Sequence, residues 1–203
     1  MRALCRSRVR GGGGCVRFST TVVGKRTALY DFHLENGGKM TNFAGWTLPI
    51  QYKEGIMQST LHTRASASLF DVSHMGQLRF YGEDRSKFLQ TILVGNLKTL
   101  KPNCAKYSLF ANEYGGIIDD TVISRRNDHF YVVINAGRID ADLSHIRSHL
   151  DIFIKNGGDV SMQYLEDQSL IALQGPFSAK VLQSLLGNRV DLNSFGFLDV
   201  FNS

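Results

Sequence analysis

Apolar residues recur at helical spacing in two clear segments of the chain. Residues 54–67 form the first segment, with Ile56 and Leu61 as expected core positions. Residues 84–93 form the second segment, and its expected core positions are Phe88, Leu89 and Ile92. Weaker helical patterns predict three further helices, at residues 27–36, 137–153 and 176–186.

Short runs rich in β-branched and aromatic residues predict strands between the helices. They lie at residues 69–74, 77–81, 106–111, 117–124, 129–135, 160–165 and 169–173. A five-residue turn at 112–116 ends in two glycines and predicts a hairpin. Residues 39–52 contain Gly45 and Pro49 and are expected to be irregular, anchored by Trp46. Hairpins mixed with helices predict an α+β fold with antiparallel sheets and flanking helices, rather than a parallel doubly wound fold.

The positive charge of the chain is concentrated at its N-terminus. Residues 1–20 contain five arginines and no acidic residue, and the first acidic residue is Asp31. An Arg-rich, acid-free start followed by Ser19, Thr20 and Thr21 predicts a mitochondrial transit peptide over residues 1–20. A disordered tail without a targeting function is the alternative. The segment has no apolar run long enough for a secretory signal.

The remainder of the chain is neutral, which narrows the classes of partner. Without those five arginines, the 23 basic residues of the chain fall to 18, equal to its 18 acidic residues. A nucleic-acid partner is therefore not expected, and no stretch approaches the roughly 18 apolar residues that would predict a membrane span. Outside the leader the only cysteine is Cys104, which excludes an internal disulfide framework and a multi-cysteine metal site. His145 and His149 have metal-ligand spacing but no third ligand nearby, so a solvated helix face and no metal are expected.

The most unusual chemistry is the adjacent pair Asp119 and Asp120 at the start of a predicted strand. Neighbours in a strand face opposite sides, so one of the two faces the core or a cleft. A carboxylate in apolar surroundings is costly unless it is paired. It can then bind a cationic or amine group, or shift its pKa for proton transfer. The alternative is a solvated acid that flanks the turn.

Of the two acids, strand alternation selects Asp120. If the three strands are in register, Asp120 lies on the same face of the sheet as side chains of its own and both neighbouring strands. The residues of this face are Tyr107, Asp120, Val122, Val133 and Asn135. Such a face suits a flat heterocycle, with apolar contacts for the ring and Asn135 and Asp120 for its polar edge. Asp119 is then expected to point away or to cap the hairpin. For each apolar residue of this face, plain core packing is the alternative.

Several long motifs occur in a recognisable order. They are MTNFAGWTLPIQY at 40–52, LFDVSHMG at 69–76, YSLFANEYGGIIDD at 107–120, VVINAGR at 132–138 and ALQGP at 172–176. Together they resemble the motifs of the aminomethyltransferases, the folate-dependent T-proteins of the glycine cleavage system. The resemblance extends over residues 27–203, and it departs from the commoner family pattern by placing Ala44 between Phe43 and Gly45.

This resemblance implies a folate-binding aminomethyltransferase fold, with three α+β lobes around a folate cleft. It implies transfer of an aminomethyl group from the lipoyl carrier protein (H protein) of the glycine cleavage system to tetrahydrofolate, giving methylenetetrahydrofolate and ammonia. The location implied is the mitochondrial matrix. The resemblance also makes Asp120 the essential acid. The residues expected to contact folate are Met75, Tyr107, Val122, Val133 and Asn135.

Members of the family run to roughly twice the length of this chain, consistent with two or three domains. Residues 27–203 are therefore expected to be an incomplete N-terminal folate-binding region that stops before the C-terminal lobe. Two other interpretations remain: a truncated product without catalysis, and a folate-binding iron–sulfur assembly relative of the same fold. The adjacent acids and the HMG run at residues 74–76 favour the transferase.

Overall fold

The computed structural model of the protein describes residues 24–201. The predicted transit peptide at residues 1–20 lies outside the described residues. The α-helices are α1 (Tyr30–Glu35), α2 (Gly55–Ala65), α3 (Arg85–Ile92), α4 (Ile139–Lys155) and α5 (Ser178–Leu186). The strands are β1 (Lys25–Arg26), β2 (Lys39–Phe43), β3 (Trp46–Gln51), β4 (Ser68–Asp71), β5 (Gly76–Tyr81), β6 (Cys104–Ala111), β7 (Ile117–Arg125), β8 (Phe130–Ile134), β9 (Ser161–Tyr164) and β10 (Ile171–Gln174).

A five-stranded antiparallel sheet in the order β6-β7-β8-β5-β9 is the centre of the fold. The predicted hairpin between β6 and β7 is confirmed. Its turn is organised by the Asn112 side chain, which accepts hydrogen bonds from the backbone N–H groups of Tyr114 and Gly116, at 3.0 and 2.8 Å. The register shifts once, beside Ala111, and is regular from Asp119 onwards.

Helices α3 and α4 cover one face of this sheet and form the hydrophobic core with it. The predicted core positions Phe88, Leu89 and Ile92 of α3 are confirmed as buried. The sheet contributes Leu78, Phe80, Phe110, Ile123, Phe130, Val132 and Ile134, and α4 contributes Leu143, Ile146 and Leu150. Each fully buried side chain of this size stabilises the fold by roughly 1.5–3 kcal/mol relative to an exposed one.

The segment 39–52 is a regular hairpin, so the expectation of an irregular segment was wrong. β2 and β3 pair in antiparallel fashion, and β1 adds to β3 in parallel. The turn residues Ala44 and Gly45 both have positive φ, 51° and 81°, as in the two-residue turns that match strand twist. Pro49 lies beyond the residues of β3 that pair with β1, on an open edge where proline is tolerated.

The expected core positions of α2 were also wrong, since Ile56 and Leu61 are both 55% exposed. No residue of α2 is buried. Helical spacing identifies an apolar face, but it does not report whether another element covers that face. A similar exposed surface continues on β4 and α5, where Leu69 and Leu185 are 70% and 71% exposed. β4 does not join the central sheet but pairs with β10 in a separate antiparallel sheet of two strands.

We predict that Ala44→Gly raises the free energy of unfolding by about 1 kcal/mol, because a residue with a Cβ is strained in the left-handed region. The matched control is Gly45→Ala, where an added Cβ would meet no atom within 4 Å. Only backbone strain acts there, so this variant should lose a similar amount. Urea denaturation of both variants measures the difference. A loss of stability in Ala44→Gly would contradict the turn geometry.

Candidate functional site

The face of the central sheet away from α3 and α4 carries the residues that strand alternation predicted. The register places Tyr107 opposite Val122, Val122 opposite Val133, and Val133 opposite Gln77. These four side chains form a row on the face away from α3 and α4, because the core residues occupy the alternate positions. Tyr107 is 58% exposed, and the two valines are half-buried. Gln77, at the β5 end, is polar and only 3% exposed. The accessible apolar part of the row is therefore formed by Tyr107, Val122 and Val133.

The carboxylate of Asp120 lies beside this row, two residues from Val122 on the same face of β7, and is held on both oxygens. The Tyr107 hydroxyl donates to Oδ2 at 2.6 Å. The Asn135 side-chain amide donates to Oδ1 at 2.7 Å. The structure thus brings Asp120, Tyr107 and Asn135 together, as the sequence predicted, while their contact with folate stays a prediction.

The two donors also set the charge of Asp120. The hydrogen bond from Tyr107 is the main cause that lowers the pKa of Asp120, and the Asn135 bond acts in the same direction. Partial burial opposes them without reversing the shift. Conversely, the hydrogen bond to Asp120 raises the pKa of the Tyr107 hydroxyl, so that it remains a donor. At neutral pH the site presents a fixed negative charge beside an apolar surface.

Asp119 faces the opposite side of β7, as alternation requires, but its carboxylate still contacts a residue of the candidate site. Both of its carboxylate oxygens lie 3.2 Å from the Asn135 amide nitrogen. The hairpin turn is capped by Asn112 instead. On the α4 side, the Asp119 carboxylate meets the carboxyl group of Asp142.

Asp142 was missed by the sequence reasoning, although a signal for it exists. It is completely buried, in the first part of α4. Burial, together with Asp119 beside it, raises the pKa of Asp142 to about 7. It precedes Leu143 and Ile146 on the buried stripe of the helix, where an acid is out of place in an otherwise apolar pattern.

Met75 lies in the turn between β4 and β5, where its backbone N–H donates to the Val72 carbonyl at 3.0 Å. It is half-buried and directly precedes Gly76, which pairs with Ile134 of β8. Met75 and Asn135 are therefore at the same end of the sheet. Neighbouring His74 packs edge-on against Phe43, with ring centroids 5.6 Å apart, and burial lowers its pKa. His74 is therefore packed against the N-terminal hairpin.

A buried network supports that turn and was not predicted. His33 of α1 lies 3.0 Å from an oxygen of Asp71 through Nε2, and 2.6 Å from the Tyr52 hydroxyl through Nδ1. Asp71 also accepts from the backbone N–H of Ser73 at 3.0 Å. Burial acts to raise the pKa of Asp71, but its hydrogen bonds from Ser73 and His33 outweigh that effect and lower it. The network ties the N-terminal hairpin to the segment that carries Met75.

The His145 and His149 pair is only partly solvated. His149 is exposed, whereas His145 is half-buried with its ring edge-on to Phe110, at 6.4 Å between centroids. Within residues 24–201, no group of three or more His, Cys, Asp or Glu side chains is arranged to hold a metal ion. Over the same residues, no helix combines the length and the apolarity needed to cross a bilayer.

Comparison with known proteins identifies the family. The model of the GCVT N-terminal domain matches residues 29–202. The chain belongs to this family. The mitochondrial aminomethyltransferase of Mesembryanthemum crystallinum is 51% identical over 174 residues, which cover 85% of this chain and 42% of that protein. The mitochondrial aminomethyltransferase of Mus musculus is 49% identical over 161 residues, covering 79% and 40%.

The solved structure of an aminomethyltransferase confirms the α+β fold that was expected for this chain. The crystal structure of the glycine cleavage system aminomethyltransferase T from Bartonella henselae matches with a TM-score of 0.77 and 35% identity. The match covers 86% of this chain and 46% of the Bartonella chain. The chain thus spans less than half the length of these relatives.

We predict that Tyr107→Phe raises the pKa of Asp120 towards the ordinary aspartate value, because the variant removes the donor that contributes most to the lowering. Titration of the Asp120 carboxyl carbon by NMR measures the change. The matched control is Tyr114→Phe in the hairpin turn, where the ring is 87% exposed. An unchanged Asp120 titration in Tyr107→Phe, or an equal change in the control, would contradict the hydrogen bond.

Proposed function

We propose that this chain provides the tetrahydrofolate-binding face of an aminomethyltransferase. The reaction transfers the aminomethyl group from the lipoyl carrier protein, the H protein of the glycine cleavage system, to tetrahydrofolate. Methylenetetrahydrofolate and ammonia are its products. Membership of the GCVT N-terminal domain family and the names of the relatives support this proposal. The observation that carries it is the carboxylate of Asp120, which Tyr107 and Asn135 hold beside the apolar side chains of Tyr107, Val122 and Val133.

The apolar row suits the flat ring system of a folate. Tyr107, Val122 and Val133 provide a surface three strands wide, which a planar heterocycle can cover without displacing a helix. Met75 lies at the same end of the sheet as Asn135 and would close the ring site from the β4–β5 turn. Flat apolar contact supplies affinity, and the few polar groups at its edge supply orientation.

Asp120 is proposed to act on the reacting end of the folate. In the transfer, the carbon of the aminomethyl group forms bonds to two folate nitrogens and loses its bonds to the lipoyl sulfur and to ammonia. The two protons displaced from the folate nitrogens go to the lipoyl sulfur, which becomes a thiol, and to the amino group, which leaves as ammonia. Positive charge develops on the one-carbon unit as ammonia leaves, and the fixed Asp120 carboxylate would stabilise that charge and hold a folate N–H. Tyr107 and Asn135 hold the carboxylate in place before the substrate arrives.

We predict that Asp120→Asn lowers transfer activity by about 10²–10⁴-fold, the range for a positioned acid–base group. Tetrahydrofolate affinity should change little, because the ring contacts remain. Asp119→Asn should be milder, since that side chain faces the other side of β7. Activity with the H protein and folate affinity are measured for both variants in the protein as expressed from its own gene. If Asp119→Asn is the inactive variant, the assignment to Asp120 fails.

The location proposed is the mitochondrial matrix. The relatives are named as mitochondrial, and residues 1–20 have the composition of a transit peptide. We predict that the protein isolated from its own cells starts near residues 17–21. N-terminal sequencing of the protein from purified mitochondria checks this. Recovery of a chain that starts at Met1 in the cytosol would contradict import.

A further inference from the structure

The buried carboxyl group of Asp142 has no part in the function proposed above, and its surroundings are unusual. It is 0% exposed. No hydrogen-bond donor of residues 24–201 reaches either of its oxygens. The polar group that meets it is another carboxyl group, that of Asp119 on β7. A buried carboxylate without a donor would cost several kcal/mol.

Two carboxylates cannot hydrogen-bond to each other unless one of them carries a proton. Asp142 is the more deeply buried of the two, since Asp119 is only half-buried. Burial disfavours the charged form, so the proton belongs on Asp142. The charged groups that act on Asp142 are Asp119 and Asp120 of β7, which favour the proton, and Arg138 before α4, which opposes it.

Asn135 connects this pair to the candidate site. Its amide nitrogen has two hydrogens, but four acceptors of Asp119 and Asp120 lie within 3.3 Å. The shortest contact, 2.7 Å, goes to the Asp120 carboxylate, and Asp119 receives only contacts of 3.2 Å. Asp119 therefore needs another donor. Without one, it would compete with Asp120 for the same amide.

We propose that Asp142 is a carboxylic acid that donates its proton to Asp119, and that this acid–carboxylate pair leaves the Asn135 amide directed at Asp120. Asp142 is thus a positioning residue, which acts on Asp120 through Asp119 and Asn135. Its effect on folate binding rests on the proposed function, whereas its protonation and its effect on Asn135 do not.

Linkage gives the direction of the pH effect. Burial and Asp119 hold the pKa of Asp142 at about 7. Below this pH the acid donates to Asp119. Above this pH Asp142 is charged and can no longer donate to Asp119. Asp119 then competes with Asp120 for the Asn135 amide, which is drawn towards Asp119. The orientation of Asn135 should therefore change with the same midpoint as the Asp142 carboxyl group.

The test uses NMR of the 203-residue chain without folate, which follows the aspartate carboxyl carbons and the Asn135 side-chain amide across pH. We expect one carboxyl group to titrate near neutral pH and the Asn135 signal to shift with it. Asp142→Asn replaces the acid by an amide donor of the same shape, so it should remove that titration and hold Asn135 at its low-pH position. Asp142→Leu supplies no donor and should displace the Asn135 signal at every pH. Asp140→Asn, at an exposed position on the same helix, is the matched control and should leave both signals unchanged.

Tetrahydrofolate affinity of the same variants is the second readout. In the wild type it should fall about 2–10-fold above the midpoint, the equivalent of one net hydrogen bond, and in Asp142→Asn it should not depend on pH over this range. The inference is overturned if Asp142 titrates in the ordinary aspartate range, or if Asn135 does not respond to it. If no variant binds folate while the titration and the Asn135 shift are present, the proposed function fails and the acid–carboxylate pair stands.

Discussion

The antiparallel register of β7 with β8 is the constraint on which the candidate site depends. It pairs Val122 with Val133, and the neighbouring pair of Ile123 with Val132 is completely buried against α3 and α4. A slip by one residue would turn every buried side chain to the open face, so the hydrophobic core fixes the register. The same register carries Asp120 and its amide donor to one side of the sheet. Core packing, rather than any contact within the candidate site, therefore decides which of two adjacent acids faces the side of the sheet away from α3 and α4.

Strand β7 consequently separates two carboxyl groups into different chemical environments. On the open face, Asp120 receives a hydroxyl and an amide hydrogen bond and stays charged. On the core face, Asp119 meets Asp142, whose pKa burial and Asp119 raise to about 7. Asn135 reaches both acids from β8. The Asn135 side chain thus contacts the carboxylates on both faces of the sheet.

The sequence predicted the features that depend on neighbouring residues and missed those that depend on contacts between distant segments. Period-two alternation predicted the open face correctly, because it needs only local phase and a bulge that falls before Asp119. It did not predict the hairpin at 39–52, since Ala44 adopts a conformation that is rare for a residue with a Cβ. It could not show that Ile56 is uncovered, nor that His33 meets Asp71, 38 residues away. These features depend on contacts between distant segments, which periodicity does not contain.

The two acids of the site affect stability in opposite directions as pH changes. Asp120 has a lowered pKa, so its contribution is present above the unfolded-state pKa and is lost as pH falls through the folded one. Asp142 has a folded pKa of about 7 against an ordinary 3.8, so the native state retains a proton that the unfolded chain releases between these values. Its contribution is therefore complete at low pH and is lost as pH rises to about 7. A fold selected for stability alone would place a leucine at position 142, on the buried stripe of α4. An acid there can donate to the carboxylate of Asp119, which a leucine would leave with only the Asn135 amide that it shares with Asp120.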